Sequence, residues 1–323
     1  YYLFHEFVRD RVHAIPVRAD PGDGVREKLA EILAKALECS HGIIRCRNFI
    51  QQRVQAFFER VPVLFRHPPR QGRVAGIDER VVAIIPAVID VHGGPTYQSR
   101  RNFDGFRQYL VSKGYVVMVP NVRGSTGYGK TYTQLDNLDL GGGPLKDIVH
   151  CKRWLVKHAN VDPKRVVVMG GSYGGYMALA AATFTPEEFA ANVDFFGVSD
   201  LKSLVESFPP YWAAFATFIH KKFGDPKNPA HAKYQHDRSP INFVNKIVRP
   251  LLVVQGENDA RVKKDQSDRI VDKLKGRKVP VHYLVIEGEG HGFSKTANRI
   301  LAYERTDRFL DRYLFGDTSV KLD

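Results

Sequence analysis

Val166-Val-Val-Met-Gly170-Gly-Ser172-Tyr-Gly-Gly175 runs from a short β-branched stretch, through glycines on either side of a serine, into the apolar segment Tyr173–Thr183. A strand feeding a helix through G-x-S-x-G is the setting in which that pattern has a mechanical meaning. The turn is so tight that the serine backbone is strained. Side chains two residues to either side would strike neighbouring elements, which accounts for the glycines. The turn lifts the hydroxyl above the sheet and leaves it at a helix N-terminus, where the dipole favours developing negative charge. Ser172 is therefore the candidate nucleophile.

Outward from this turn the chain alternates. Ala87–Val91, Tyr115–Pro120, Val193–Gly197, Leu251–Gln255 and Val281–Ile286 are short runs rich in Val and Ile. They show little polar alternation, as strands covered on both faces do. Phe103–Lys113, Leu145–Ala159, Val262–Lys275 and Asn298–Leu314 read as amphipathic helices between them. Such alternation predicts a mostly parallel sheet with right-handed crossovers and helices on both faces. With the serine turn included, the expected architecture is the α/β-hydrolase fold. Residues 200–250 read as an irregular insert, and no internal repeat is visible.

A serine hydroxyl is too weak an acid to attack unaided and needs an imidazole base held in one tautomer by a carboxylate. In this fold the chain order is Ser, then Asp or Glu, then His. Gly256-Glu-Asn-Asp259-Ala-Arg-Val262 follows one strand and Glu287-Gly-Glu-Gly-His291-Gly-Phe293 follows the next. Both loops fall at the carboxyl ends of parallel strands, where sites of open α/β sheets lie. Asp259 is the candidate acid, ahead of Asp200 and Glu257. His291, between glycines on a post-strand loop, is the candidate base among 12 His. Acyl transfer also needs N–H groups aimed at the oxyanion. The N–H of Tyr173 is one candidate, and Gly93 or Gly94 of His92-Gly-Gly-Pro95 supplies the other.

Composition bounds the partners. The 323 residues are 43% hydrophobic and 26% charged, enough for a real core. No run of ~18 apolar residues suggests a membrane span, and Tyr1–Val17 lacks the layout of a signal peptide. The chain begins with Tyr rather than Met, as a fragment does. Three cysteines, Cys39, Cys46 and Cys151, have no metal spacing, so a reducing, cytoplasmic setting is expected. The net charge of +13 is spread along the chain. A solvated basic surface is expected rather than nucleic-acid or membrane binding, and a homo-oligomer is left open.

Residues 1–80 differ from the rest, with 12 Arg and 2 Lys against 15 Arg and 19 Lys afterwards. Two helical patterns, one after Asp23 and one over Asn48–Arg60, precede the breaker His67-Pro-Pro-Arg-Gln-Gly72. This segment is expected to be a helical N-terminal appendage, fused, truncated or frame-altered, and residues 81–323 the catalytic domain.

With these residues in place, the chain resembles the prolyl oligopeptidase family of serine peptidases, in the branch of acylaminoacyl-peptidases and dipeptidyl aminopeptidase-like enzymes. The resemblance rests on His92-Gly-Gly-Pro95, Asn121-Val-Arg-Gly-Ser-Thr-Gly-Tyr-Gly129, Gly170-Gly-Ser-Tyr-Gly-Gly-Tyr-Met177, Ser239-Pro240, Gly256–Val262 and Glu289-Gly-His-Gly-Phe293, over about Pro86 to Leu314. It implies Ser172, Asp259 and His291 as a triad, with no cofactor. Some relatives carry a Tyr hydroxyl at the position of His92. Here the oxyanion hole is expected to use backbone donors. Family enzymes also carry a β-propeller, for which residues 1–80 are too short. Arg123 and Tyr128 either contact a substrate carbonyl or brace their loop. Tyr211 and Trp212 either line an acyl pocket or form a packing cluster. Three functions follow: a serine peptidase acting on short peptides, a carboxylic-ester hydrolase with the same triad, or a non-catalytic binding protein of this fold.

Overall fold

Strand β1 (Ile85–Val91) enters the middle of a sheet rather than its edge. The computed structural model describes residues 85–322. The helical patterns expected within residues 1–80, together with Cys39 and Cys46, lie outside them. After β1 come α1 (Gly105–Ser112), β2 (Val116–Met118), α2 (Gly129–Gln134), α3 (Gly143–His158), β3 (Val161–Gly171), α4 (Tyr173–Phe184) and β4 (Ala191–Phe195). The chain continues through α5 (Leu201–Glu206), α6 (Ala216–Phe223) and α7 (Pro229–Asp237). It closes with β5 (Leu251–Gly256), α8 (Asp265–Leu274), β6 (Val281–Ile286) and α9 (Thr296–Leu314).

The six strands run in the order β2-β1-β3-β4-β5-β6, every neighbouring pair parallel. Strand β1 pairs with β2 on one side (Ala87 opposite Val116) and with β3 on the other (Ala87 opposite Val166). From β3 onward each new strand is added to the same growing edge. The direction of winding therefore reverses between β1 and β3, and a crevice opens beyond their carboxyl ends.

Successive residues of a strand face opposite layers. Ile89, Val166 and Val168 pack with Ile148, Leu155 and Met177 on one side. Val88, Val167 and Met169 pack with Phe106, Leu110, Phe309 and Leu310 on the other. Two covered faces explain why these strands carry no polar alternation. Helix α4 is central: every residue from Tyr173 to Thr183 is buried. Its run of alanines keeps it close to the sheet, and a helix apolar all round belongs inside.

The expected elements appear, but β4 ends at Phe195 rather than Gly197 and α2 forms where no element is expected. Strand β3 starts at Val161, five residues before the apolar run, because Val161 pairs with Ile85 ahead of an irregularity in the register. The insert contains helices α5, α6 and α7. Its last helix buries only Gln235, so it has no apolar stripe to read.

Helix α4 lies close against the end of β1. A Cβ on Gly174 would overlap Val91 O, as would one on Gly170. Replacing Gly174 by Ala is expected to cost about 1–3 kcal/mol, as overpacking does. Urea denaturation should show a lower midpoint with an unchanged slope.

Candidate active site

Ser172 sits between β3 and α4 at φ +59°, ψ −115°. A positive φ is costly for a residue with a side chain and persists only where the surroundings over-determine it. Ser172 N donates to Phe195 O at 2.9 Å, and Tyr176 N donates to Ser172 O at 2.9 Å. Glycines at 170 and 174 allow the turn to press against Val91. Tyr173 N–H is the first of the helix and has no carbonyl one turn back, as at every helix start.

The loop after β1 lies against this turn. A Cβ on Gly93 would stand 3.6 Å from Ser172 Cβ and 3.3 Å from Gly171 O. Neither Gly93 N nor Gly94 N donates to a backbone acceptor among the described residues. His92 is buried and turned away into the β2 loop. Its Nδ1 lies 2.6 Å from Gly93 O and its Nε2 lies 2.8 Å from Ser125 Oγ. Burial holds this imidazole below its ordinary range, hence neutral, although Gly93 O and Asp90 act the other way. Gly93 O can only accept, so the ring proton sits on Nδ1, and Nε2 shares the Ser125 hydroxyl proton with Val122 O.

The β2 loop braces the β1 loop. Ser99 N donates to Asn121 Oδ1 and Asn121 Nδ2 returns a bond to Ser99 O, while Thr126 N donates to Tyr97 O. Tyr128 is exposed, and its hydroxyl accepts from Asn121 Nδ2. Arg123 forms a two-pronged pair with Asp147 (Nε to Oδ2 2.9 Å, Nη2 to Oδ1 2.6 Å), and its backbone N–H binds the same carboxylate. In the insert, Trp212 packs on Phe208 at 4.9 Å between ring centres and Tyr211 is exposed.

Asp259 and His291 meet. His291 Nδ1–H donates to Asp259 Oδ2 at 2.7 Å. Asp259 is buried, and its other oxygen accepts from Arg261 N and Val262 N, both at 2.9 Å. A buried carboxylate needs such partners. The bond leaves His291 Nε2 as the acceptor. Asp200 and Glu257 are occupied elsewhere. Asp200 caps α5 through Lys202 N and Ser203 N and pairs with Arg269, and Glu257 binds Gly288 N. The acid and base loops are also joined directly, Asn258 N donating to Glu289 O at 2.8 Å. Phe196 lies against Gly171 of the serine turn and against His291. Its ring lies 4.8 Å from the imidazole and fills the space that a Gly171 side chain would take.

A match to the model of the prolyl oligopeptidase family covers residues 101–317, two thirds of the chain. The chain belongs to the prolyl oligopeptidase family. Dipeptidyl aminopeptidase BIII of Pseudoxanthomonas mexicana is 40% identical over 242 residues, 75% of this chain and 35% of that protein. Dipeptidyl peptidase family member 6 of Caenorhabditis elegans is 38% identical over 243 residues, 73% of this chain and 33% of that protein. Among solved structures, a puromycin-hydrolyzing peptidase of Mycobacterium tuberculosis superposes with TM-score 0.67 at 33% identity, over 76% of this chain and 36% of that one. The chain thus spans about a third of the length of these family members. Among the described residues no helix is long and apolar enough to cross a membrane, and no three His, Cys, Asp or Glu side chains gather as metal ligands would.

Glu289 lies inside a quoted motif without a role assigned to it, and Asp194 and Phe196 lie outside the motifs. An acidic residue in the mostly apolar stretch Ala190–Phe196 is the signal that marks Asp194. Glu289 is buried two residues before His291. Its carboxylate accepts from Ser294 N, Ser294 Oγ, Lys295 N and Asn298 Nδ2, each at 2.9 Å. These donors, Ser294 N foremost, lower its pKa to about 2. A carboxyl titrating lower in the folded chain than its ordinary 4.5 stabilises fully above that pH and loses the effect as pH falls through about 2. Glu289→Gln is therefore expected to lower Tm at pH 7. The gap from the unmodified chain should narrow steadily as thermal unfolding is repeated from pH 5 down to pH 2.

Proposed function

We propose that residues 81–323 form the catalytic domain of a serine peptidase cleaving short peptides, in the manner of acylaminoacyl- and dipeptidyl-peptidases. The observation that carries this reading is the His291–Asp259 bond, at the carboxyl end of the sheet that also turns Ser172 into a positive-φ elbow. Membership of the prolyl oligopeptidase family supports it.

On this reading His291 Nε2 takes the Ser172 proton as Oγ attacks the scissile carbonyl carbon. Asp259 keeps the imidazole in the Nδ1–H tautomer and stabilises the imidazolium. The carbonyl oxygen becomes an oxyanion between Tyr173 N–H and the N–H of Gly93 or Gly94. His291 returns the proton to the leaving amine, and water then repeats the sequence to release the acyl group. Arg123, committed to Asp147, braces the loop. Tyr128 and Tyr211, both exposed, are the side chains available to substrate, with Trp212 forming a wall against Phe208. The cysteine pattern supports a cytoplasmic setting.

The test compares kcat/KM on a peptide anilide series (acyl-Ala, acyl-Leu, Ala-Ala, Gly-Pro) with that on a short p-nitrophenyl ester. Anilide cleavage is expected. It should fall by about four orders of magnitude or more in Ser172→Ala and by a comparable factor in Asp259→Asn, which holds the wrong tautomer. Ester cleavage without anilide cleavage would make the protein an ester hydrolase. Activity that persists in Ser172→Ala would overturn the assignment of the nucleophile.

A further inference from the structure

The peptide unit joining Phe195 to Phe196 is held from both sides. Phe195 O accepts from Ser172 N at 2.9 Å, and Phe196 N donates to Val254 O at 2.8 Å. One rigid unit therefore ties the serine turn to β5. The next N–H is held as well, since Gly197 N donates to Asp194 Oδ1 at 2.7 Å. Pinned at both ends, Phe196 adopts φ +42°, a left-handed conformation that is unfavourable for a bulky side chain. Asp194 is fully buried beneath the first turn of α4, so close that a Cβ on Gly175 or Gly197 would overlap its Oδ1. Its Oδ2 has no hydrogen-bond partner among the described residues, and burial lifts its pKa to about 7 against the pull of the Gly197 bond.

What this clasp aims is an aromatic ring. The Phe196 ring lies 4.8 Å from the His291 imidazole at 59° and 5.5 Å from Phe293. A single hydrogen bond to Asp259 fixes one atom of the imidazole but not the plane of its ring. A second contact on the ring is needed to stop it swinging about that bond. We infer that Phe196 is a positioning residue for His291: its ring, set by the Asp194–Gly197 clasp, fixes the plane in which the imidazole presents Nε2. The inference rests on the reading of His291 as the base. It makes the nucleophile's own main chain, through Phe195 and Phe196, the reference against which the base is aligned.

The experiment uses the full chain and three variants: Phe196→Leu, Asp194→Ala and Asp194→Asn. Phe196→Leu and Asp194→Ala are expected to lower kcat on the preferred anilide by about 10–100-fold, the scale of small misplacements in an active site, with KM little changed. Asp194→Asn keeps an oxygen for Gly197 N–H and should stay near the unmodified chain. The low-field proton resonance of His291 Nδ1–H is expected to be sharp in the unmodified chain and in Asp194→Asn. It should broaden in the other two variants at temperatures where circular dichroism shows them folded. A raised KM at constant kcat in Phe196→Leu would assign the ring to substrate contact and overturn the inference, as would an unchanged resonance in that variant. Asp194→Asn behaving like Asp194→Ala would overturn the clasp. If the unmodified chain cleaves no anilide and Ser172 fails to react with a fluorophosphonate, the peptidase reading fails, while the resonance still tests the positioning.

Discussion

The first turn of α4 lies so close to the end of β1 that no side chain fits between them. Val91 O occupies the place where a Cβ at Gly170 or Gly174 would go. Much else in the molecule depends on that contact. It forces the chain to reverse within one residue, which is why Ser172 stands at φ +59°. Strain of this kind costs roughly 1–3 kcal/mol. The same close approach buries α4 on all sides, and each of Met177 and Leu179 contributes about 1.5–3 kcal/mol through burial. The burial outweighs the strain, so the high-energy turn is a stable part of the fold.

Cross-bonds between loops do the rest. The β1 loop is held by the β2 loop through Asn121 and Ser125, and the β5 loop is held by the β6 loop through Asn258 and Gly288. In each pair the loops leave neighbouring strands at the same end of the sheet, so a few short bonds from the main chain and from Asn121, Ser125 and Glu257 suffice to join them. Precision at Ser172 and His291 then comes from the sheet itself and needs little from exposed side chains.

The sequence makes the sheet legible because both faces of its strands are covered, leaving unbroken runs of Val and Ile. The serine turn is legible for a different reason: only glycine tolerates the contacts around it, and those glycines print a pattern. Asp259, Asp200 and Glu257 look alike in sequence, each an acidic residue after a strand. What separates them is tertiary: a helix to cap and Arg269 for Asp200, Gly288 N–H for Glu257, an imidazole for Asp259. Helix α7 could not be read, since it is polar on nearly every face. Phe196 gives no local sign either. Its backbone is bent by partners at Ser172, Val254 and Asp194, and its ring matters only through a histidine 95 positions later.

The order of the sheet has a temporal side. From β3 onward, strands join one edge in the order in which they leave the ribosome, and His291 follows the last of them. Contacts between groups so distant in sequence are slow to form, since chain entropy must be lost before they yield anything. On the proposed reading, a nascent or half-folded chain therefore carries Ser172 before its base is in place. If the proposed site is the working one, hydrolytic competence arrives with the docking of the final strand, so the topology withholds it from incomplete molecules.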